Sequence, residues 1–399
     1  MLFMKAIRQS AGNRRDKSLS FAICAIVVGL FITNIAEGIA GEGTLQRVIS
    51  LLCKAFILAS LVLCVPAILS RMNRMLVITT AAVALVIALN CLLFPDTLGH
   101  FTGTAKTFLL TIFPGMVCFM LLEDYELCLG WLRRAAYLVA ILNVAVILAC
   151  RGLHFSSGYD MGYANALILP TNLLIYVFWK RRQGVAAKLG TLALIAVNVF
   201  SVLAFGSRGS LVAMGVFFIV YGFKAMSRKL SRTTKTVLVS LLALCVLMYR
   251  YIFLGLFYLL EAVAGIRSRA LYMLANVFSN DSGRGDIYNA ILTKLRESPL
   301  AIRGINADYN VVGGYSHNIF LELIFAFGVV IGVVLCAYIL YHIVRTLMEK
   351  TDALGTMKLL MLFSFFPICL WSSSIWTSLY FWLWMVISWR TKRCPRGMV

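Results

Sequence analysis

The chain has 399 residues, of which 61% are hydrophobic and 13% charged, and its mean hydropathy is +0.89. A soluble domain carries about 25% charged residues, so this composition excludes an ordinary soluble enzyme and indicates a polytopic membrane protein. The net charge of +21 would point to nucleic acid in a soluble protein. Here the cations gather at alternate connections between apolar runs, where the positive-inside rule puts them, and nucleic acid is excluded as a partner.

A membrane-crossing helix takes roughly 20 mostly apolar residues, and about twelve runs read as such helices. In chain order they lie near 19–40, 48–70, 75–94, 107–122, 135–150, 164–180, 188–205, 209–223, 236–262, 318–344, 357–373 and 374–389. The runs are continuous rather than short and alternating, which is the helical and not the barrel pattern. The expected fold class is an all-α polytopic membrane protein, one integral membrane domain over 1–399 with about twelve transmembrane helices.

Orientation follows from the cations. Lys5, Arg8, Arg14, Arg15 and Lys17 precede the first span, and the clusters Arg71 with Arg74, Arg133 with Arg134, and 180–188 share their side. So do 224–235, Arg345 with Lys350 and Lys358, and the tail from Arg390 to Arg396. Both termini are then cytoplasmic, the basic first 18 residues read as an uncleaved start, and no soluble domain is attached at either end. The external connections are 41–47, 95–106, 151–163, 206–208, 263–317 and a few residues near Ser373.

The 263–317 connection, about 55 residues, lies between the ninth and tenth spans and far exceeds the roughly 12 to 15 residues that usually go without structure. Apolar residues recur at helical spacing from Arg269 to Phe278 and from Arg284 to Arg296, with Ile287, Ala290, Ile291 and Leu295 on one face. Short amphipathic helices are expected there, separated by the turn residues Asn280, Asp281, Ser282 and Gly283. The eleven cysteines fall mostly inside apolar runs and read as small buried hydrophobes. No spacing among Cys, His, Asp and Glu supplies a metal site, and no cofactor is expected.

Three side chains near the external side carry possible chemistry. Arg208 sits in a short turn, Phe205-Gly206-Ser207-Arg208-Gly209-Ser210, where a guanidinium presents a planar fork of donors to phosphate and flanking glycines let backbone amides approach the same anion. Its alternative is an arginine snorkelling to lipid headgroups. Arg284 opens a predicted helix, whose N-terminus also favours an anion; its alternative is a solvated charge or a pair with Asp286. His317 ends the longest polar stretch and begins the tenth span, the position of a general base at a membrane-water boundary. Arg303 is ambiguous, and the other histidines, His100, His154 and His342, read as structural. Glu322 would lie about 140° around an ideal helix from His317, so it is not expected to orient the imidazole directly. Gly328 and Gly332 on the same span allow close helix packing.

The layout of spans, the large loop between the ninth and tenth, and the signatures Gly206-Ser207-Arg208-Gly209, Ser282-Gly283-Arg284 and His317-Asn318 followed by Gly328 and Gly332 resemble the bacterial O-antigen polymerase and O-antigen ligase superfamily. Gly328 and Gly332 have three residues between them where the ligases usually have two, and Tyr159 to Asn165 together with Tyr315-Ser316-His317-Asn318 look more like capsule and exopolysaccharide polymerases. The resemblance implies a glycosyltransferase of the bacterial inner membrane, with its active site on the external face. Its substrates would be undecaprenyl-pyrophosphate-linked saccharides, and its partners membrane lipids, a chain-length regulator and a flippase. Arg208 and Arg284 would bind the pyrophosphate, His317 would activate the acceptor hydroxyl, and Arg303, Asn318 and Tyr315 would line the substrate site. Transfer would be inverting and independent of metal. Two other functions fit the same features: an O-antigen ligase with lipid A core as acceptor, and a lipid-linked saccharide flippase without catalysis.

Overall fold

A computed structural model describes residues 2–40, 43–150, 160–180, 184–205, 207–226, 231–265, 267–276 and 283–390. His154, Tyr159, Gly206, Asn280, Asp281 and Ser282 lie outside the described residues. Among those described the fold is entirely helical, with no strand, and nine helices are long and apolar enough to cross a membrane.

The first half comprises α1 (Leu2–Ala40), α2 (Thr44–Ser70), α3 (Arg74–Leu93), α4 (Leu98–Thr107), α5 (Phe113–Leu121), α6 (Tyr125–Cys150), α7 (Met161–Ala166), α8 (Ile168–Lys180) and α9 (Val185–Phe205). After a break at Phe94, a 3-10 turn leads into α4 and a π turn joins α4 to α5, giving one helical run from Pro95 to Leu121, so the expected connection 95–106 is itself helical. The second half comprises α10 (Arg208–Met226), α11 (Arg232–Leu247), α12 (Tyr249–Ala264), α13 (Arg269–Ala275), α14 (Arg284–Glu297), α15 (Tyr309–Val312), α16 (Ile319–Met348), α17 (Ala353–Cys369) and α18 (Leu379–Ser388). The run expected as one span over 236–262 is divided at Met248 between α11 and α12. The 263–317 segment carries α13, α14 and α15, and Ile287, Ile291 and Leu295 of α14 pack on Ala307, Leu321 and Phe325 as their spacing predicts.

Helix α17 is the core of the bundle. From Gly355 to Phe365 every residue is buried, against α6, α8, α10, α16 and α18. Helices α2 and α3 lie at the periphery and expose long apolar side chains, Leu58 at 64% and Leu92 at 77%. Covering such a leucine is worth about 1.5 to 3 kcal/mol in water, and a continuous surface of them fits a lipid environment rather than an aqueous one. The protein is an all-helical membrane protein.

One end of the bundle is knit by cations. Lys358 Nζ donates to Glu349 Oε1 and Oε2 at 2.7 and 2.8 Å and to the Arg390 carbonyl at 2.9 Å. Lys224 donates to the carbonyls of Leu347 and, at 2.8 Å, Glu349. Arg71 pairs with buried Asp16 at 2.6 Å. This basic end is a reference plane for depth. From it α17 rises about 16 Å between Lys358 and Cys369, and the ten residues of α18 descend about 15 Å. The turn between them, 370–378, therefore lies about half a bilayer's roughly 30 Å above the basic end. The residues near Ser373 belong to this turn, which is recessed within the bundle because α18 is too short to carry it farther from the basic end.

Helix α16 is not the single straight span expected over 318–344. Gly328 has φ +74° and ψ 165°, a conformation open essentially to glycine alone, and the chain reverses there. Cys336 Sγ lies 3.7 Å from the carbonyl oxygen of Phe320, whereas sixteen residues of straight helix would separate them by about 24 Å. A Cβ on Gly332 would stand 2.9 Å from the backbone nitrogen of Ile324. The element is a helical hairpin with legs 319–327 and 329–348. The break frees backbone groups that membrane protein must satisfy internally, and the segment 299–304 does so. Ala326 O accepts from Arg303 N and Gly304 N at 2.9 and 3.1 Å, and Val329 N donates to Pro299 O at 2.8 Å. The legs lie side by side, so the start of the first leg sits about 13 Å below the vertex at Gly328, in the interior of the bundle.

Candidate functional site

Arg208 is the first residue of α10. Ser207, almost fully buried, precedes it as the cap, its Oγ accepting from Ser210 N at 3.4 Å, and Ser210 Oγ lies 2.8 Å from Ser207 Oγ and 2.7 Å from Asn165 Oδ1 of α7. This network fixes where the arginine leaves the helix. Gly209 packs against the end of α17 so closely that a Cβ there would touch Ile368 Cα at 3.8 Å and Ser372 Oγ at 3.9 Å. Arg284 holds the matching position at the start of α14, after Gly283 in the left-handed region at φ +77°. Both guanidiniums thus begin at helix N-termini, where the macrodipole favours anions.

His317 has a left-handed backbone, φ +55°, which costs a branched or bulky residue energy and persists only where the surroundings hold it. Three contacts do so. Ser316 N donates to Asp308 Oδ2 at 2.7 Å. Asn318 caps the first leg of α16, its Oδ1 accepting from Phe320 N at 3.0 Å and Leu321 N at 3.2 Å. The Tyr315 ring centroid lies 4.2 Å from that of the imidazole, and its hydroxyl donates to Ser372 O at 2.8 Å. The imidazole is half-buried, and its Nδ1 has no hydrogen-bond partner among the described residues. Burial first, and then the positive charge of Arg284, hold its pKa below the ordinary histidine value, so the ring is neutral at pH 7. Neutrality is what a proton acceptor requires.

The structure therefore brings Arg284 and His317 into electrostatic contact, and Arg208 begins near the same turn: a Cβ on its neighbour Gly209 would come within 3.9 Å of Ser372 Oγ, and the Ser372 carbonyl accepts from Tyr315. His317 directly precedes Asn318, the cap of the first leg of α16. The reversal at Gly328 carries it into the bundle, level with the recessed 370–378 turn. Arg303 is placed differently from the other two arginines. Its guanidinium donates to the carbonyls of Ser298 at 2.7 Å, Lys294 at 3.0 Å and Ala301 at 3.1 Å, and to Ser298 Oγ at 2.7 Å. It also lies 4.8 Å over the Phe325 ring, so it closes the C-terminus of α14, where cations are favoured, and clamps the hairpin. Asn318 and Tyr315 likewise engage backbone groups. His100 stacks on Tyr309 at 4.8 Å, and His342 lies far from the site toward the basic end among Tyr338, Trp384 and Trp389.

Two neighbours, Asp308 and Glu322, have partners that were not read from the sequence. Asp308 is buried, and burial raises its carboxyl above the ordinary range while the Ser316 N–H opposes the rise. Glu322 is buried at 3% exposure; it accepts from Ser374 Oγ and, at 3.2 Å, from Ile375 N. A carboxylate in an apolar run was the available signal for Glu322. Asp308 carried none, because its partner is a backbone amide eight residues away. Scans against family models, curated proteins and solved structures found no match to this chain.

Proposed function

We propose that the protein is a membrane glycosyltransferase that polymerises undecaprenyl-pyrophosphate-linked repeat units into O-antigen, capsular or exopolysaccharide. The observation that carries this reading is His317: a neutral imidazole, recessed within the bundle, held on a strained backbone beside the charge of Arg284. A phosphate-bearing lipid whose headgroup descends from the external face would meet the two helix-terminal arginines at the depth where the imidazole lies. Both termini are cytoplasmic on this reading, and the site opens to the external side of the bacterial inner membrane.

The reaction is an inverting displacement at the anomeric carbon of the lipid-linked donor. The acceptor hydroxyl gives its proton to His317 as its oxygen bonds to that carbon, and the bond from the carbon to the pyrophosphate oxygen breaks. Arg208 and Arg284 stabilise the charge that develops on the departing undecaprenyl pyrophosphate, a contribution that fixed cations in a poorly hydrated site supply without reorganisation. Holding donor and acceptor together removes much of the entropic barrier.

Against a flippase stand the ion pairs that knit the basic end, Asp16 with Arg71 and Glu349 with Lys358, because alternating access would have to open them. A ligase would use the same residues and differ only in its acceptor. The length distribution of surface polysaccharide in a deletion strain separates the two: single repeat units mark a polymerase, and long chains left on undecaprenyl mark a ligase. Wild-type chain lengths would refute both.

A further inference from the structure

We infer that Glu322 is a positioning residue, which sets the distance between the anion-binding and proton-accepting halves of the site through the 370–378 turn. The inference rests on the reading above for its kinetic test, and on geometry alone for its structural one.

An ionisable side chain inside an apolar helix is expensive to bury and is found where function or a specific partner retains it. Glu322 is buried, and both carboxylate oxygens are engaged by one turn: Ser374 Oγ donates to Oε1, and Ile375 N donates to Oε2 at 3.2 Å. Ser374 Oγ accepts in turn from Trp376 N at 3.2 Å, which ties the carboxylate to the fold of the turn. The same turn receives the Tyr315 hydroxyl on Ser372 O. Tyr315 precedes His317 and Glu322 follows it, so two tethers from a single turn bracket the histidine in sequence. Between His317 and Glu322 stands the first leg of α16, capped by Asn318, which transmits the tether as a rigid body. On its other side the turn runs close to Gly209, and with it the origin of Arg208: a Cβ on Gly209 would stand 3.9 Å from Ser372 Oγ. Releasing the turn therefore shifts Arg208 relative to His317, although Glu322 itself points at neither.

The test uses the full-length protein in lipid nanodiscs, with Glu322→Ala, Glu322→Gln, Ser374→Ala and the double variant Glu322→Ala with Ser374→Ala. Backbone hydrogen exchange in Glu322→Ala is expected to accelerate at least about tenfold both in 372–376 and in 315–318, since loss of the tether frees both segments. With lipid-linked repeat units, kcat is expected to fall about 10²-fold, the scale of a 1 Å misplacement, with KM nearly unchanged. The double variant should be no worse than Glu322→Ala, as partners in one interaction are not additive. Glu322→Gln keeps a carbonyl acceptor and should recover part of the loss. If Glu322→Ala does not insert, Glu322→Gln and Ser374→Ala, which nearly preserve volume, carry the same comparison. Exchange confined to 372–376 with wild-type kcat per folded molecule overturns the inference, as does additivity in the double variant. If the wild type makes no polymer while exchange in the two segments remains coupled, the functional reading fails and the tether stands.

Discussion

Replacing Gly332 by alanine separates a hairpin from a straight span and reaches the site from a residue that touches no substrate. A methyl group at this position would stand 2.9 Å from Ile324 N and 3.0 Å from Leu323 O, where non-bonded heavy atoms settle at about 3.5 to 4.0 Å. The legs must part by about 1 Å to accept it, and the leg that moves is the one that begins at His317. A displacement of this size costs about 10²-fold in turnover, and overpacking costs about 1 to 3 kcal/mol of stability. In a straight helix the same change would favour the fold by about 0.8 to 1.0 kcal/mol and leave turnover alone. The assay pairs thermal unfolding with the rate of polymer formation per folded molecule. A Gly332→Ala protein that melts higher than wild type and polymerises normally would refute the hairpin and, with it, the recessed position of His317.

The other predictions address orientation, the cations and pH. A cysteine introduced at exposed Asn310, near Asn306, in a background without native cysteines, should react with an impermeant reagent from the external side of intact cells; reaction only after the membrane is breached would invert the topology. Alanine at Arg208 or Arg284 should abolish product at normal membrane levels of protein, with lysine a poor substitute for the bidentate fork; near-normal polymer from both alanine variants would remove the anion clamp. Because His317 is held below the ordinary histidine value of about 6.5 by burial and Arg284, the acid limb of kcat should fall below that value. A lowered folded pKa also means that protonation favours the unfolded chain, so this group's contribution to stability is complete above about pH 6.5 and declines as pH falls through the folded pKa. An acid limb at or above pH 6.5 would contradict the neutral imidazole.

Much of the helical architecture was legible because its cause is local. Apolar runs give helices, and the face Ile287, Ile291 and Leu295 packs where a 3.6-residue period puts it. The reversal in α16 was hidden because 318–344 is apolar throughout and Gly328 reads equally as a packing glycine. What selects the break is distant: the carbonyls and amides of 299–304 that satisfy Ala326 and Val329. Arg303 was read for its charge, whereas the acceptors that occupy it are carbonyls at the end of α14, which no side-chain motif announces. Glu322 was rightly separated from His317 by helical angle, but its partners, a hydroxyl and an amide in the 370–378 turn, lie more than fifty residues away. Arg208 and His317 were singled out because each stands beside polar turn residues at the edge of an apolar run, and Arg284 because it opens a helix after a glycine turn.

The most direct test of the central claim is polymer formation by the purified protein supplied only with undecaprenyl-pyrophosphate-linked repeat units, in excess chelator, for the wild type and His317→Gln. A ladder of lengthening chains is expected from the wild type without added metal, and a rate lower by about 10² to 10⁴-fold for His317→Gln, which cannot take up the proton. A wild type that makes no ladder until magnesium or manganese is restored, or a His317→Gln protein as fast as wild type, would contradict that claim.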